Sequence, residues 1–119
     1  MNTILNVILA LVLGLLVFKF FTKKTFALDQ NEIKELLNSR PLIIDVRTES
    51  EFQSGHYKTA VNIPLDKISS NLNLIGSKEQ KIYLYCRSGA RANSAKSILE
   101  SNGFKKVFNL GGLSDLPKE

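Results

Sequence analysis

The sequence predicts an α/β domain, a parallel sheet flanked by helices, preceded by one N-terminal transmembrane helix. Three observations lead there. The run from Ile4 to Phe21 holds only Asn6 and Lys19 as strongly polar residues. Two segments, Leu42 to Val46 and Lys81 to Tyr85, are apolar, aromatic or β-branched enough to be strands buried on both faces. Segments with helical spacing alternate with these strands, which implies parallel pairing with helices on both sides.

At about 1.5 Å per residue the N-terminal run is about 27 Å long, close to the roughly 30 Å hydrocarbon core of a bilayer. Residues 3–22 are therefore expected to form a retained transmembrane anchor and 23–28 a short juxtamembrane linker. A cleaved signal peptide fits less well: Met1-Asn2-Thr3 carries no side-chain charge, and no Ala-x-Ala precedes the domain. A buried core helix would show a polar face, and none interrupts the run. Lys19, Lys23 and Lys24 flank its C-terminal end. The positive-inside rule then puts that end in the cytoplasm, with residues 3–24 against membrane lipid and the domain on the cytoplasmic face of the cell membrane as a single-pass protein. A single cysteine cannot form an intramolecular disulfide, which agrees with a reducing compartment.

The net charge of +5 divides unevenly. Without those three lysines, 13 Lys and Arg remain against 11 Asp and Glu, a net of +2. That balance gives no reason to expect nucleic acid as a partner. One His and one Cys, 30 residues apart, make no zinc site, and no metal or organic cofactor is expected.

The domain is expected over 29–119. Asp29 with Glu32 three residues on forms a capping box, and Ile33, Leu36 and Leu37 give the following helix its apolar face up to about Asn38. Pro41 punctuates before the first strand. A short helix follows at Ser50 to Ser54. Val61-Asn62-Ile63 is a short strand ended by Pro64. Asp66 to Ser70 reads as a short helix or turn, and Leu72 to Gln80 as mostly irregular. Ala92, Ala95 and Leu99 share one face of a helix running from Ala90 to Asn102, with Gly103 as its stop. Lys106 to Asn109 is the last strand.

Between the second long strand and that helix lies Cys86-Arg87-Ser88-Gly89-Ala90-Arg91. A cysteine where a strand ends, before a helix N-terminus, meets unpaired backbone N–H groups and the positive end of the helix dipole. Arg87 and Arg91 add full charges. A free thiol titrates near pH 8.5, and such surroundings lower this to roughly 3.5–7.5, so Cys86 is expected to be substantially a thiolate at neutral pH. A buried, inert cysteine is the bland reading. Two flanking guanidinium groups argue against it. In an open α/β sheet, ligands bind beyond the carboxyl ends of the strands, where Asp45-Val46-Arg47 also lies. Asp45, Arg47 and Glu51 read as a structural ion-pair cluster that holds the loop rather than as catalytic groups. His56, after Gly55 in an expected turn, reads as a framework residue rather than a general base. Gly111-Gly112 reads as a tight turn.

The Cys86 loop resembles the active-site loop of single-domain rhodaneses, the thiosulfate-type sulfurtransferases. Ile43-Ile44-Asp45-Val46-Arg47, Glu51-Phe52 with Gly55-His56, Ala60-Val61-Asn62-Ile63-Pro64 and Asn109-Leu110-Gly111-Gly112 also match family blocks in order, and the likeness covers about Leu28 to Gly112. The resemblance implies a rhodanese-like parallel sheet. It implies a double displacement in which Cys86 takes a sulfane sulfur from an anionic, thiosulfate-like donor. The resulting persulfide passes its sulfur to a thiol or to cyanide. Cys86 is then the catalytic residue. Arg87, Ser88, Gly89, Ala90 and Arg91 bind substrate, and Asp45, Arg47, Glu51 and His56 support. Cysteine phosphatases also close a Cys loop with Arg, but the four residues between Cys86 and Arg91 are one fewer than those loops use. A membrane-tethered persulfide carrier or protein-interaction module with little turnover is the alternative. Two departures from the family pattern stand out: the chain after Gly112 leaves room for only a short closing helix, which puts the cover of the sheet's edge in question, and Thr59 replaces a more usual glycine.

Overall fold

The computed structural model describes residues 2–22 and 29–118, with side chains described for 2–17 and 29–118. The first helix, α1 (Asn2–Thr22), is apolar on all sides, and its described apolar side chains are exposed. Among the described residues no helix is long and apolar enough to cross a membrane. The transmembrane character expected for 3–22 is therefore not shown. The expected linker, 23–28, lies outside the described residues.

The elements that follow are α2 (Gln30–Asn38), β1 (Leu42–Asp45), α3 (Glu49–Gln53), β2 (Val61–Asn62), α4 (Leu72–Ile75), β3 (Lys81–Cys86), α5 (Ala90–Ser101) and β4 (Lys106–Gly112). Short 3-10 turns cover Leu65–Lys67 and Leu113–Asp115. The strands form one parallel sheet in the order β2-β1-β3-β4. Because side chains alternate along a strand, β3 feeds both faces. Ile82, Leu84 and Cys86 pack with Ile44, Val46 and the Ala92, Ala95 and Leu99 face of α5. Tyr83 and Tyr85 pack on the other face with Ile43, Ile33 of α2, Leu110 and Leu116. Both faces of β1 and β3 are thus dry, which is why these strands read as nearly continuous apolar runs.

The helix ends obey local chemistry. The Asp29 carboxylate accepts the Glu32 N–H at 2.9 Å, and Glu32 accepts the Asp29 N–H at 3.1 Å, closing the expected capping box. At the end of α5, Gly103 has φ 92°, its N–H donates to Glu100 and the Phe104 N–H donates to Leu99. This left-handed stop satisfies carbonyls that the helix leaves open.

Leu72 to Gln80 is mostly irregular as expected, with one helical turn at Leu72–Ile75 that buries Ile75. Two expectations are corrected. The short closing helix is a 3-10 turn, Leu113–Asp115. The last strand does not stop at Asn109. It continues through Gly111 and Gly112, and Gly112 pairs in register with Cys86 after an irregularity between Leu84 and Cys86. Two glycines discourage a strand by local propensity, but here they permit close approach to another backbone.

Candidate active site

Cys86 ends β3 and is buried, at 1% exposure. Its Sγ accepts a hydrogen bond from the Gly89 N–H at 2.9 Å. The loop curls back on its own first residue because Gly89 takes φ 94°, a left-handed conformation open to glycine. Gly89 is also the residue before α5, and its carbonyl accepts the first helical bond, from Asn93 at 2.9 Å. The sulfur therefore faces a backbone donor at the N-terminal end of a 12-residue helix, where the dipole favours negative charge. The sulfur is therefore recessed.

The back of the loop is built by β4. Asn109 Nδ2 donates to the Gly89 carbonyl at 2.9 Å, while its Oδ1 accepts the Gly111 N–H at 2.8 Å. The Gly112 N–H donates to Asp115 Oδ2 at 2.8 Å. A Cβ on Gly112 would lie 2.1 Å from the Arg87 carbonyl oxygen. Gly112 is thus the floor on which the Cys86 loop rests, rather than a simple turn residue.

The two arginines differ. Arg91, at the start of α5, is held by Glu51 in a two-pronged pair, Nη1 to Oε1 at 2.7 Å and Nη2 to Oε2 at 2.9 Å. Arg87 is exposed and makes no ion pair among the described residues. The net positive charge offered to an anion at the loop therefore comes from Arg87, while Arg91 arrives already partnered. Ser88 is exposed beside it, and Ala90 opens the helix.

Among the supporting residues each acid holds its own arginine, Asp45 holding Arg47 and Glu51 holding Arg91, and Arg91 also feels the Asp45 charge. Asp45 is fully buried and accepts from Arg47 through Nη2 at 2.7 Å, through Nε at 3.0 Å and through the backbone N–H at 2.9 Å. Arg47 also donates to the Gly55 carbonyl at 2.6 Å and lies 5.7 Å from the centre of the Tyr85 ring. Hydrogen bonding to Asp45 raises the Arg47 pKa further above its ordinary value. Burial pushes the Tyr85 phenol up to about 12, so it stays neutral and accepts the Tyr57 N–H at 3.0 Å. His56 is a framework group: its ring stacks on Phe52 at 3.6 Å and its Nδ1–H donates to the Phe52 carbonyl at 2.8 Å.

Glu51 has a second task. Thr48 caps α3 by accepting the Glu51 N–H at 3.2 Å, and Glu51 returns a bond to the Thr48 N–H at 3.4 Å. The Thr48-x-x-Glu51 spacing carried this capping box in plain view. Asn62, which donates to the Asp45 and Arg47 carbonyls at 2.9 Å each, and Asn109 had no comparable local signal.

The Arg91 hydrogen bond pulls the Glu51 carboxyl down to about 2 from an ordinary 4.5. Its folded value lies below its unfolded one, so between these two values the unfolded chain binds more protons. The pair's contribution is thus complete above about pH 4.5 and disappears as pH falls through about 2. Glu51→Gln is expected to flatten the acid limb of the stability curve between those values. An unchanged slope in acid-unfolding titrations would show that the pair carries no linkage. Both side chains are about one-third exposed, so the effect at pH 7 should stay within about 1 kcal/mol.

A parallel sheet with a cysteine loop running from a strand into a helix N-terminus defines the class, and the comparisons agree. The chain belongs to the rhodanese-like family: residues 29–116 match the Rhodanese-like domain. It is 35% identical over 74 residues to the thiosulfate sulfurtransferase PspE of Escherichia coli (strain K12), covering 61% of this chain and 71% of PspE. It is 32% identical over 91 residues to the tRNA uridine(34) hydroxylase of Hamiltonella defensa, covering 71% of this chain but only 26% of that protein. Among solved structures, a rhodanese with anions from E. coli aligns with a TM-score of 0.61 and 34% identity, over 65% of this chain and 94% of the other.

Proposed function

We propose that this protein is a sulfurtransferase that moves a sulfane sulfur from an anionic, thiosulfate-like donor to a thiol or cyanide through a Cys86 persulfide. The observation that carries the reading is the Gly89 N–H directed at Cys86 Sγ, in a loop that ends on a helix N-terminus and leaves Arg87 free of acid partners among the described residues. The Cys86 sulfur attacks the outer sulfur of thiosulfate. The sulfur–sulfur bond breaks and sulfite leaves with the electron pair. The acceptor then attacks the outer sulfur of the persulfide, and the Cys86 sulfur departs as the thiolate. Backbone N–H groups of residues 87–91 stabilise the charge that appears on the loop sulfur at the second step. Arg87 draws in the donor anion, with Ser88 beside it, and Arg91 fixes the start of α5. Similarity to PspE supports the donor class. The recessed sulfur supports it too, since a terminal sulfur and cyanide are both narrow. No metal or organic cofactor is required by this chemistry.

The same reading holds residues 3–24 against membrane lipid with the domain on the cytoplasmic face, supported by the apolar run and by Lys19, Lys23 and Lys24 after it. One experiment addresses both parts: inside-out vesicles carrying the full chain, assayed for thiosulfate:cyanide transfer and for the mass of Cys86. The expected result is turnover with a mass gain of one sulfur, both lost in Cys86→Ser, and both removed by protease added outside the vesicles. A folded chain with neither turnover nor mass gain would overturn sulfur transfer. A mass gain without turnover would favour a persulfide carrier. Protection from protease would overturn the topology.

A further inference from the structure

The starts of β3 and β4 lie at one edge of the parallel sheet, and Cys86 and Gly112 lie at the other. Along β3 the two edges are about 16 Å apart. The edge away from the loop is basic. Lys81 and Lys106 are register partners on adjacent strands, and both are exposed. The Lys105 N–H donates to the Lys78 carbonyl at 3.2 Å, which brings the residues just before the two strands together. The Lys78 side chain lies across Gly103. Arg40 stands at the same edge, two residues before Leu42, the register partner of Ile82. Glu79 is the acid inside this group. Lys105 holds it at 2.9 Å, and that hydrogen bond, with the charges of Lys105 and Lys106, keeps its carboxyl below the usual range. Glu100, near the end of α5, is exposed beside them. Arg40, Lys78, Lys81 and Lys106 are exposed and in no ion pair among the described residues. Phe108, two residues after Lys106 and on the same face of β4, is 36% exposed and stacks on Tyr83 at 5.2 Å. Lysines guard edge strands against pairing with other chains, but Lys81 is on β3, which lies between β1 and β4. Like charges directly opposite one another destabilise a sheet, so an external anionic surface would offset a cost that the fold itself leaves standing.

We propose that this edge rests on an anionic lipid surface, with Lys78, Lys81 and Lys106 against the headgroups and Phe108 at the interface, and so turns the Cys86 loop toward water. The inference rests on the membrane reading of residues 3–24 and adds a second contact and an orientation. Lysines around an exposed aromatic side chain are the composition of protein surfaces that lie on anionic bilayers. A bilayer is favoured over a nucleic acid because the same chain carries α1, whose described apolar side chains are exposed. A helix held in lipid would keep the basic edge at high effective concentration beside the headgroups. Chain length permits the pose. α2 starts near the loop edge, where Gln30 Nε2 donates to the Asp115 carbonyl, and it ends two residues before Arg40. Its length is about 14 Å. The six residues 23–28 span up to about 20 Å, enough to pass from a bilayer under the basic edge to Asp29.

The test uses the full chain in nanodiscs of phosphatidylcholine alone and of an equal mixture of phosphatidylcholine and phosphatidylglycerol. A headgroup spin label on the lipid broadens the amide resonances that lie against it. In the mixture, residues 78–81 and 105–108 should be broadened and residues 87–89 of the loop should not. In phosphatidylcholine alone neither segment should be. Each lysine near an anionic leaflet strengthens docking by about fivefold, so Lys78→Gln/Lys81→Gln/Lys106→Gln should weaken it by about 100-fold and remove the broadening. Lys58→Gln/Lys118→Gln alters exposed lysines elsewhere and should leave it unchanged. Broadening absent from the basic edge in the mixture, lost equally in both variants, or stronger at the loop would overturn the proposal. So would shifts at the basic edge with a DNA or RNA duplex and none with the mixed lipid. The anchor reading is decided separately, by flotation with phosphatidylcholine vesicles. A chain that floats with these vesicles but shows no broadening at the basic edge in the mixture keeps its anchor and loses this second contact. A chain that fails to float with them loses the anchor, and flotation with mixed vesicles, abolished in the triple lysine variant, would then still support the basic edge.

Discussion

Gly112→Ala is expected to reduce thiosulfate:cyanide transfer about 100-fold in a protein that still folds. The added Cβ would stand 2.1 Å from the Arg87 carbonyl oxygen and 2.9 Å from its carbonyl carbon. Both are backbone atoms, so no side-chain rotation relieves the clash. Either β4 withdraws from β3 at the Cys86–Gly112 pair or residues 86–89 shift outward. Each movement disturbs the Gly89 N–H to Cys86 Sγ bond. A displacement near 1 Å at a reacting group can cost about 100-fold in rate, and overpacking of this kind costs about 1–3 kcal/mol in stability. Gly111→Ala is the useful comparison. Its Cβ would meet Asp115 Oδ2 at 2.8 Å, the far end of a side chain that can turn away. Strain at φ 90° then remains, with less disturbance of the loop. Steady-state kinetics alongside urea unfolding separate the two effects. Activity in Gly112→Ala within threefold of the parent would show that the loop does not rest on this residue.

Asp45→Ala is expected to destabilise the domain by about 3–5 kcal/mol, because it leaves the Arg47 guanidinium buried without its counter-charge. Asp45 is fully buried and Arg47 is 7% exposed, so water cannot replace the lost partner without opening the sheet edge. For a domain of this size each kcal/mol moves the melting temperature by about 4–8 °C. The expected fall is thus at least about 12 °C. Since marginal domains hold only about 5–15 kcal/mol in total, a large unfolded fraction at 37 °C follows. Asp45→Asn keeps an acceptor for the Arg47 N–H groups but removes the charge, and should lie between the two. Thermal melts of the three proteins decide the matter. A fall of less than about 3 °C for Asp45→Ala would mean that Arg47 finds another partner or leaves the interior. The larger effect should be on stability, because the Asp45 side chain gives its hydrogen bonds to Arg47, while it reaches the loop only through its charge on Arg91.

Elements whose information is local are legible in the residues alone. Asp29 and Glu32 close α2, Gly103 ends α5, and the apolar runs of β1 and β3 place two strands with both faces covered. The reactive position was legible too. Cys86 lies between an apolar strand and a helix with a glycine at the turn, and that order of residue types is enough to aim a helix N-terminus at a sulfur. Pairings between distant segments emerge only once the chain is folded. Glu51 and Arg91 are 40 positions apart, and nothing local indicates that Glu51 leaves Asp45 and Arg47 to hold the start of α5. Asn109 and Gly112 support the loop from 20 and 25 positions beyond Gly89 and Arg87, through a backbone contact that propensity disfavours. Hydrophobic periodicity and capping spread their energy over neighbours in sequence, so they can be read from one segment at a time. Ion pairs and backbone contacts depend on where chain folding brings two segments together, and the parallel order β2-β1-β3-β4 is what brought these together.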